Sequence, residues 1–331
     1  MAGEGQTSVT VSTGAVFEPI RDELAGVEAA IRRALDGPDP HIVELATYLQ
    51  RGGGKRLRPA LLLLAARNFH YDRERLLPVA AAVELIHMAT LVHDDIVDGA
   101  TERRGLPTVN VRWGTGTAVL TGDFLFARAF SLLAADGDNR VVRVMAEAVY
   151  EMSTGEIEQQ AQLFDPTSGE EGYYRRIYKK TAHFISHCCL MGALMGGATD
   201  RQVEALRRYG YGIGMGFQVI DDILDLTGNP EQLGKPRGTD LRSGVLTLPV
   251  LFALDRDPQP WLLERLAARR VDDATVERVR EWVEATGGIA YARRRAAEFV
   301  HGALEALDEL AGAPMEPYLR ALGRFVLERS S

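Results

Sequence analysis

Two short segments of this sequence carry the same arrangement of carboxylates. Asp94, Asp95 and Asp98 form one DDxxD pattern, and Asp221, Asp222 and Asp225 repeat it 127 residues later. At helical spacings of three and four residues, each triplet shares one helix face. Both triplets sit in otherwise apolar stretches. Two carboxylates about 6 Å apart repel by roughly 3 kcal/mol at an effective dielectric near 20, so such clusters need a counter-charge. Mg2+ takes oxygen ligands, keeps several waters, and is commonly shared between carboxylates and substrate phosphates. The paired clusters therefore predict a Mg2+-bridged polyphosphate.

Cations that could hold such an anion lie nearby in sequence. Gly52-Gly53-Gly54-Lys55-Arg56-Leu57-Arg58-Pro59 places Lys55 and Arg58 where an anion could meet a helix start. It is not a P-loop, because no Ser or Thr follows the lysine and no strand precedes the glycines. Arg103 and Arg104 follow the first aspartate cluster, Lys179-Lys180-Thr181 lies between the two clusters, and Lys235 follows the second. His87 stands seven residues, or two helical turns, before Asp94 on the same face.

The elements that must position these groups are helices. Apolar residues recur at three- and four-residue spacing through 17–36, 41–50, 57–70, 75–98, 117–135, 140–163, 172–195 and 201–226. The pattern resumes through 244–255, 260–269, 273–286, 289–311 and 315–329. Alternating runs between turn signals are scarce, so the fold class predicted is all-α, one large antiparallel bundle. Gly/Pro/Asp clusters punctuate the helices without a linker-length break, which predicts a single domain over 15–331 behind a flexible tail, 1–14. Gly210, Gly212, Gly214 and Gly216 form two i, i+4 pairs if helical, and predict close helix–helix packing.

The 331 residues are 46% hydrophobic and 25% charged, a globular composition. The net charge of −8 argues against a nonspecific nucleic-acid binder. Setting aside the six motif aspartates leaves 38 basic and 40 acidic residues, so most of the surplus belongs to the two clusters. Cys188 and Cys189 are adjacent and predict neither a disulfide framework nor a zinc site, as expected of a cytoplasmic protein. The first residues lack the pattern of a secretory signal, and uninterrupted apolar runs such as 59–66 are too short to span a bilayer.

With these residues in view, the chain resembles the trans-isoprenyl diphosphate synthases from about residue 17 to 329. The resemblance rests on GGGKRLRP, ELIHMATLVHDDIVDGATERRGLPT, TGDFLFARAF, TGEIEQ, KKTA, FQVIDDILDLTG and LGKPRGTDL, in the family's order and approximate spacing. It implies an all-α barrel, a homodimer, and head-to-tail condensation of isopentenyl diphosphate onto an allylic diphosphate. It also implies that Asp94, Asp95 and Asp98 hold Mg2+ on one side of the allylic diphosphate and that Asp221, Asp222 and Asp225 serve the other, about three ions in all. Arg103, Lys180 and Lys235 are then expected to clamp that diphosphate, with Thr181 and Gln218 beside the reacting carbons. Lys55, Arg58, His87 and Arg104 are expected to bind isopentenyl diphosphate. One departure is Val245, which stands where many relatives carry a lysine.

Chain length follows from the same resemblance. The product is expected to grow down an apolar tunnel below Asp94, at the level of Ala89 and Thr90, where short-chain members carry an aromatic. The open level predicts a product longer than farnesyl, hexaprenyl to decaprenyl, with Ala89→Phe or Ala89→Tyr shortening it. Phe124, Phe126 and Phe130 are candidates for a lower floor. So long a product is expected to leave near a membrane surface. Other readings compete: a geranylgeranyl diphosphate synthase, a class I terpene cyclase, a metal phosphohydrolase of the His-Asp type drawn from His93-Asp94, and a non-catalytic subunit of a heteromeric synthase. The second DDxxD, the basic clusters and the six intact aspartates favour a catalytic synthase.

Overall fold

The computed structural model describes residues 13–37, 39–229 and 236–329. Its helices are α1 (Thr13–Val16), α2 (Arg21–Leu35), α3 (Pro40–Arg51), α4 (Leu57–Ala66), α5 (Arg73–Val97), α6 (Val109–Trp113), α7 (Thr115–Ala135), α8 (Asn139–Ala161) and α9 (Gly169–Ile177). A π-helical turn, Tyr178–Ala182, leads into α10 (His183–Met195) and α11 (Asp200–Thr227). Then come α12 (Thr239–Arg242), α13 (Leu248–Arg256), α14 (Pro260–Ala267), α15 (Asp273–Ala285), α16 (Gly288–Ala306) and α17 (Glu316–Glu328). Thus α1 already begins inside the stretch expected to be a tail, and residues 1–12 lie outside the described residues.

Local chemistry sets the helix starts. Asp39, Asp72, Asp138 and Asp272 each accept a backbone N–H of the first turn that follows them. Thr199 and Gln202 form a capping box at the start of α11. Helix α5 packs on α7, while α11 packs on α10 and α16. The glycine row decides how closely. A Cβ at Gly214 would come within 2.6 Å of Ala182 Cα, and one at Gly212 within 2.4 Å of the Phe299 carbonyl oxygen. The row therefore serves two helices, Gly210 and Gly214 facing α10 and the turn before it, Gly212 and Gly216 facing α16.

Two features depart from the sequence expectation. A two-stranded hairpin, β1 (Glu102–Arg103) and β2 (Leu106–Pro107), pairs Glu102 with Pro107 and Arg103 with Leu106. Its central residues, Arg104 and Gly105, both have positive φ, as primed hairpin turns require. In addition, α5 and α7 are long and apolar enough to cross a membrane, with mean hydropathy 1.6 and 1.5. Reading only uninterrupted runs had concealed this. Most of α5 is buried in the bundle, whereas only a third of the apolar window of α7 is.

Candidate active site

Both aspartate clusters fall at the C-terminal ends of long helices, the first closing α5 and the second in the last two turns of α11. The helix dipole is negative there, so helix geometry adds to the mutual repulsion. Asp98 and Asp222 line one cavity of about 760 Å³. Burial pushes Asp94 up to about 6 and raises Asp98 as well. Asp222 is pushed up to about 7, by burial and then by the carboxylate of Asp240. It accepts hydrogen bonds from the Tyr173 hydroxyl at 2.7 Å and from Gln218 Nε2 at 2.8 Å. Asp225 Oδ2 accepts the Asp240 backbone N–H at 3.1 Å, and Asp221 pairs with Arg329 at 3.0 Å. The raised groups are carboxylates taken out of water, and their all-oxygen donor set fits a hard divalent cation.

The cations meet these carboxylates from other elements. The hairpin folds Arg103 back onto Asp95, with Nε and Nη2 both 2.8 Å from Oδ1. Lys180 sits on the π-helical turn, its Nζ 2.5 Å from Glu156. Burial opposes its charge, but Glu156, Asp94 and Asp98 outweigh burial and raise its pKa. Turns of this kind are frequent at functional sites. Gly155 of α8 lets the turn approach, since a Cβ there would lie 2.7 Å from Lys179 Cβ.

A second cavity, of about 550 Å³, is lined by Lys55, Arg58, His87 and Arg104, the four residues expected to bind one diphosphate. Arg329 joins them. Burial, and then the charge of Arg329, lowers the Lys55 pKa. Burial and the neighbouring arginines hold His87 well below the ordinary histidine range. Among the described residues, Arg58 Nε is buried without a hydrogen-bond partner. Arg56 is taken up by Glu28 at 2.5 Å and Glu84 at 2.6 Å, so it braces the loop rather than facing a ligand. Arg104 lowers the pKa of both Lys55 and Arg58 by its charge, a crowding of cations that a polyanion would relieve.

A third cavity, of about 380 Å³, runs below Asp94 between α5, α7 and α8. Thr90, Leu91, Val97, Phe126, Met152 and Ile157 form its apolar wall. Here the structure separates two residues that the sequence paired. Thr90 lines the cavity, whereas Ala89 is fully buried in the core and absent from the wall. One residue along a helix turns the side chain by about 100°, which puts Thr90 and not Ala89 on the cavity wall. Phe126 lines the same cavity, Phe124 lines a separate groove with Leu45 and Leu120, and Phe130 packs on the core.

Thr181 borders all three cavities and Gln218 borders the two polar ones. Lys235 lies outside the described residues. Val245 does face the 760 Å³ cavity, its backbone N–H bonded to Asp240 O at 2.8 Å. His93 Nε2 contacts the Val119 carbonyl oxygen at 3.1 Å. Sequence reasoning missed Glu156, Asp240 and Arg329. The first two lie inside motifs already singled out, TGEIEQ and LGKPRGTDL, whereas Arg329 is near the end of the chain with no local signal.

Comparison with known proteins identifies the family. The family model described as polyprenyl synthetase matches residues 39–285. The chain is 40% identical over 315 residues to heptaprenyl diphosphate synthase component 2 of Geobacillus stearothermophilus, covering 95% of this chain and 98% of that one. It is 38% identical over 316 residues to octaprenyl diphosphate synthase of Escherichia coli K12, with the same coverage. Among solved structures, a polyprenyl synthase from Caulobacter crescentus CB15, complexed with calcium and isoprenyl diphosphate, superposes with a TM-score of 0.92 at 34% identity, covering 97% of this chain and 99% of that one. A decaprenyl diphosphate synthase from Rhodobacter capsulatus gives 0.91 at 35% identity, covering 97% and 100%.

Proposed function

The chain belongs to the polyprenyl synthetase family, and from that premise we propose that it is a Mg2+-dependent synthase making hexaprenyl to decaprenyl diphosphate. Its enzymatic class, a medium- to long-chain prenyltransferase acting on isoprenoid diphosphates, follows from its relatives. The observation that carries the finer reading is the meeting of three cavities at Thr181: one acidic and flanked by cations, one basic, and one polar at Asp94 and Lys180 with an apolar wall of Leu91, Phe126, Met152 and Ile157.

In this reading the six aspartates hold about three Mg2+ ions, which supply positive charge to the diphosphate leaving from the allylic substrate. Arg103 and Lys180 stabilise the same leaving group, with Lys235 assigned to it from the family motif. Lys55, Arg58, Arg104 and Arg329 hold isopentenyl diphosphate, and neutral His87 donates a hydrogen bond to it. Thr181 gives its hydroxyl hydrogen to Gln218 Oε1 at 2.9 Å. Its oxygen lone pairs are then left for the cavity junction, where an allylic cation develops. The two basic sites hold the double bond of one substrate against the ionising carbon of the other, which is positioning catalysis. The growing chain passes Thr90 into the apolar cavity.

We assign residues 15–331 to one catalytic domain and expect it to work as a homodimer. The face of α7 that leaves Val119 and Leu120 exposed supports this expectation. A soluble monomer of this size seldom leaves so apolar a helix face uncovered. Incubation with Mg2+, isopentenyl diphosphate and farnesyl diphosphate, with products separated by length, tests the reading. Elongation to six to ten isoprene units, abolished by EDTA, is expected. A chain inactive by itself and monomeric by sedimentation would instead favour a two-component enzyme.

A further inference from the structure

Outside the aspartate-rich cavity, three side chains on α8 and α10 converge. His183 and His187 are four residues apart on α10, Glu147 faces them from α8, and their candidate ligand atoms all lie within 4.8 Å of one another. We propose that Glu147, His183 and His187 form a second metal site, suited to a divalent transition-metal ion of the Zn2+ class.

Two imidazoles and a carboxylate are a common zinc donor set, with a fourth position open to water. The imidazole pair is already prepared as ligands. Both histidines are buried, and burial lowers both pKa values, His183 to about 4, so the rings are neutral at physiological pH. The charged groups facing them are Glu147, Glu151 and Arg207. His187 donates from Nδ1 to the His183 carbonyl oxygen at 2.8 Å, which leaves Nε2 with the free lone pair. A backbone carbonyl on the far nitrogen is the usual device for orienting a ligating histidine. Among the described residues, His183 Nδ1 is buried with no hydrogen-bond partner. Histidines kept only for packing satisfy their ring nitrogens, and this one does not. The rings lie 3.9 Å apart, tilted by 32°.

The location gives the site a consequence. His183 directly follows the π-helical turn that carries Lys180 and Thr181, and Glu147 shares α8 with Glu156, the partner of Lys180. A metal there would tie α8 to α10 beside the reacting groups. Nitrogen ligands also separate this site from the all-oxygen aspartate clusters, which suit Mg2+.

The test is calorimetric titration of the full-length protein with Zn2+ in excess Mg2+, which is expected to fill the aspartate sites. One Zn2+ per chain is expected. Glu147→Gln and His187→Ala are each expected to weaken binding at least about tenfold, while Asp94→Asn leaves it intact. Glu147 is exposed and glutamine is isosteric, so that variant keeps its fold, and circular dichroism checks the histidine variant. Absence of Zn2+ binding in the wild type, or equal affinity in both Glu147→Gln and His187→Ala, would overturn the proposal.

Discussion

Thr181 donates its hydroxyl hydrogen to Gln218 Oε1 across 2.9 Å, and Gln218 donates from Nε2 to Asp222 Oδ1 across 2.8 Å. One hydrogen-bond line thus joins the cavity junction to the second aspartate cluster. Thr181→Val keeps the shape and removes the hydroxyl. A fall in kcat of about 10²-fold is expected, the loss typical of one preorganised dipole, with little change in KM for either diphosphate. Steady-state kinetics with farnesyl diphosphate as starter checks this, and an unchanged kcat would remove Thr181 from the reacting centre.

The raised aspartates make stability depend on pH in an unusual sense. Asp94 is pushed up to about 6 and Asp222 to about 7, from an ordinary 3.8. Between about pH 4 and 7 the native state therefore holds protons that the unfolded chain has released. Their contribution to stability falls as pH rises through that window. Divalent metal binds the ionised native form and opposes the loss. The Tm gain from Mg2+ should thus be larger at pH 8 than at pH 5, and Asp222→Asn should flatten the metal-free profile. A metal-free Tm independent of pH over this range would contradict the assignment.

Product length should respond at Thr90 rather than at Ala89. Thr90→Phe fills the apolar cavity near its top and is expected to shift the product toward farnesyl diphosphate. Ala89→Phe instead overpacks a fully buried position, at a cost of about 1–3 kcal/mol in stability. Chromatography of the products, with urea unfolding of each variant, separates the two effects. Wild-type product length from Thr90→Phe would place the tunnel elsewhere.

Gly155 should matter through Lys180. A methyl group at Gly155 would come within 2.7 Å of Lys179 Cβ and 3.2 Å of the Lys180 backbone nitrogen, so the π-helical turn must move. Gly155→Ala is expected to lower kcat about 10- to 100-fold, as small misplacements of a catalytic group do. Circular dichroism should remain that of the wild type. Full activity would show that the turn tolerates displacement.

Short-range pattern decided much of this protein. Helical periodicity located the long helices, and the DDxxD spacing put each aspartate triplet on one helix face, because both depend only on neighbours along the chain. The basic clusters were equally visible, and all four residues expected at one diphosphate line a single cavity. Tertiary structure decided the rest. Which of Ala89 and Thr90 lines the cavity below Asp94 depends on how α5 is rotated against α7 and α8. That rotation is set by packing across the whole bundle. The glycine row reads as one motif in the sequence, yet it divides between α10 and α16 because both helices press on α11. The π-helical turn, the return of Arg103 to Asp95 and the approach of Arg329 to Asp221 join residues through folds of the chain that no local spacing encodes. The aspartates announced a charge problem by their types and spacing alone, and the groups that surround it come together only through long-range packing.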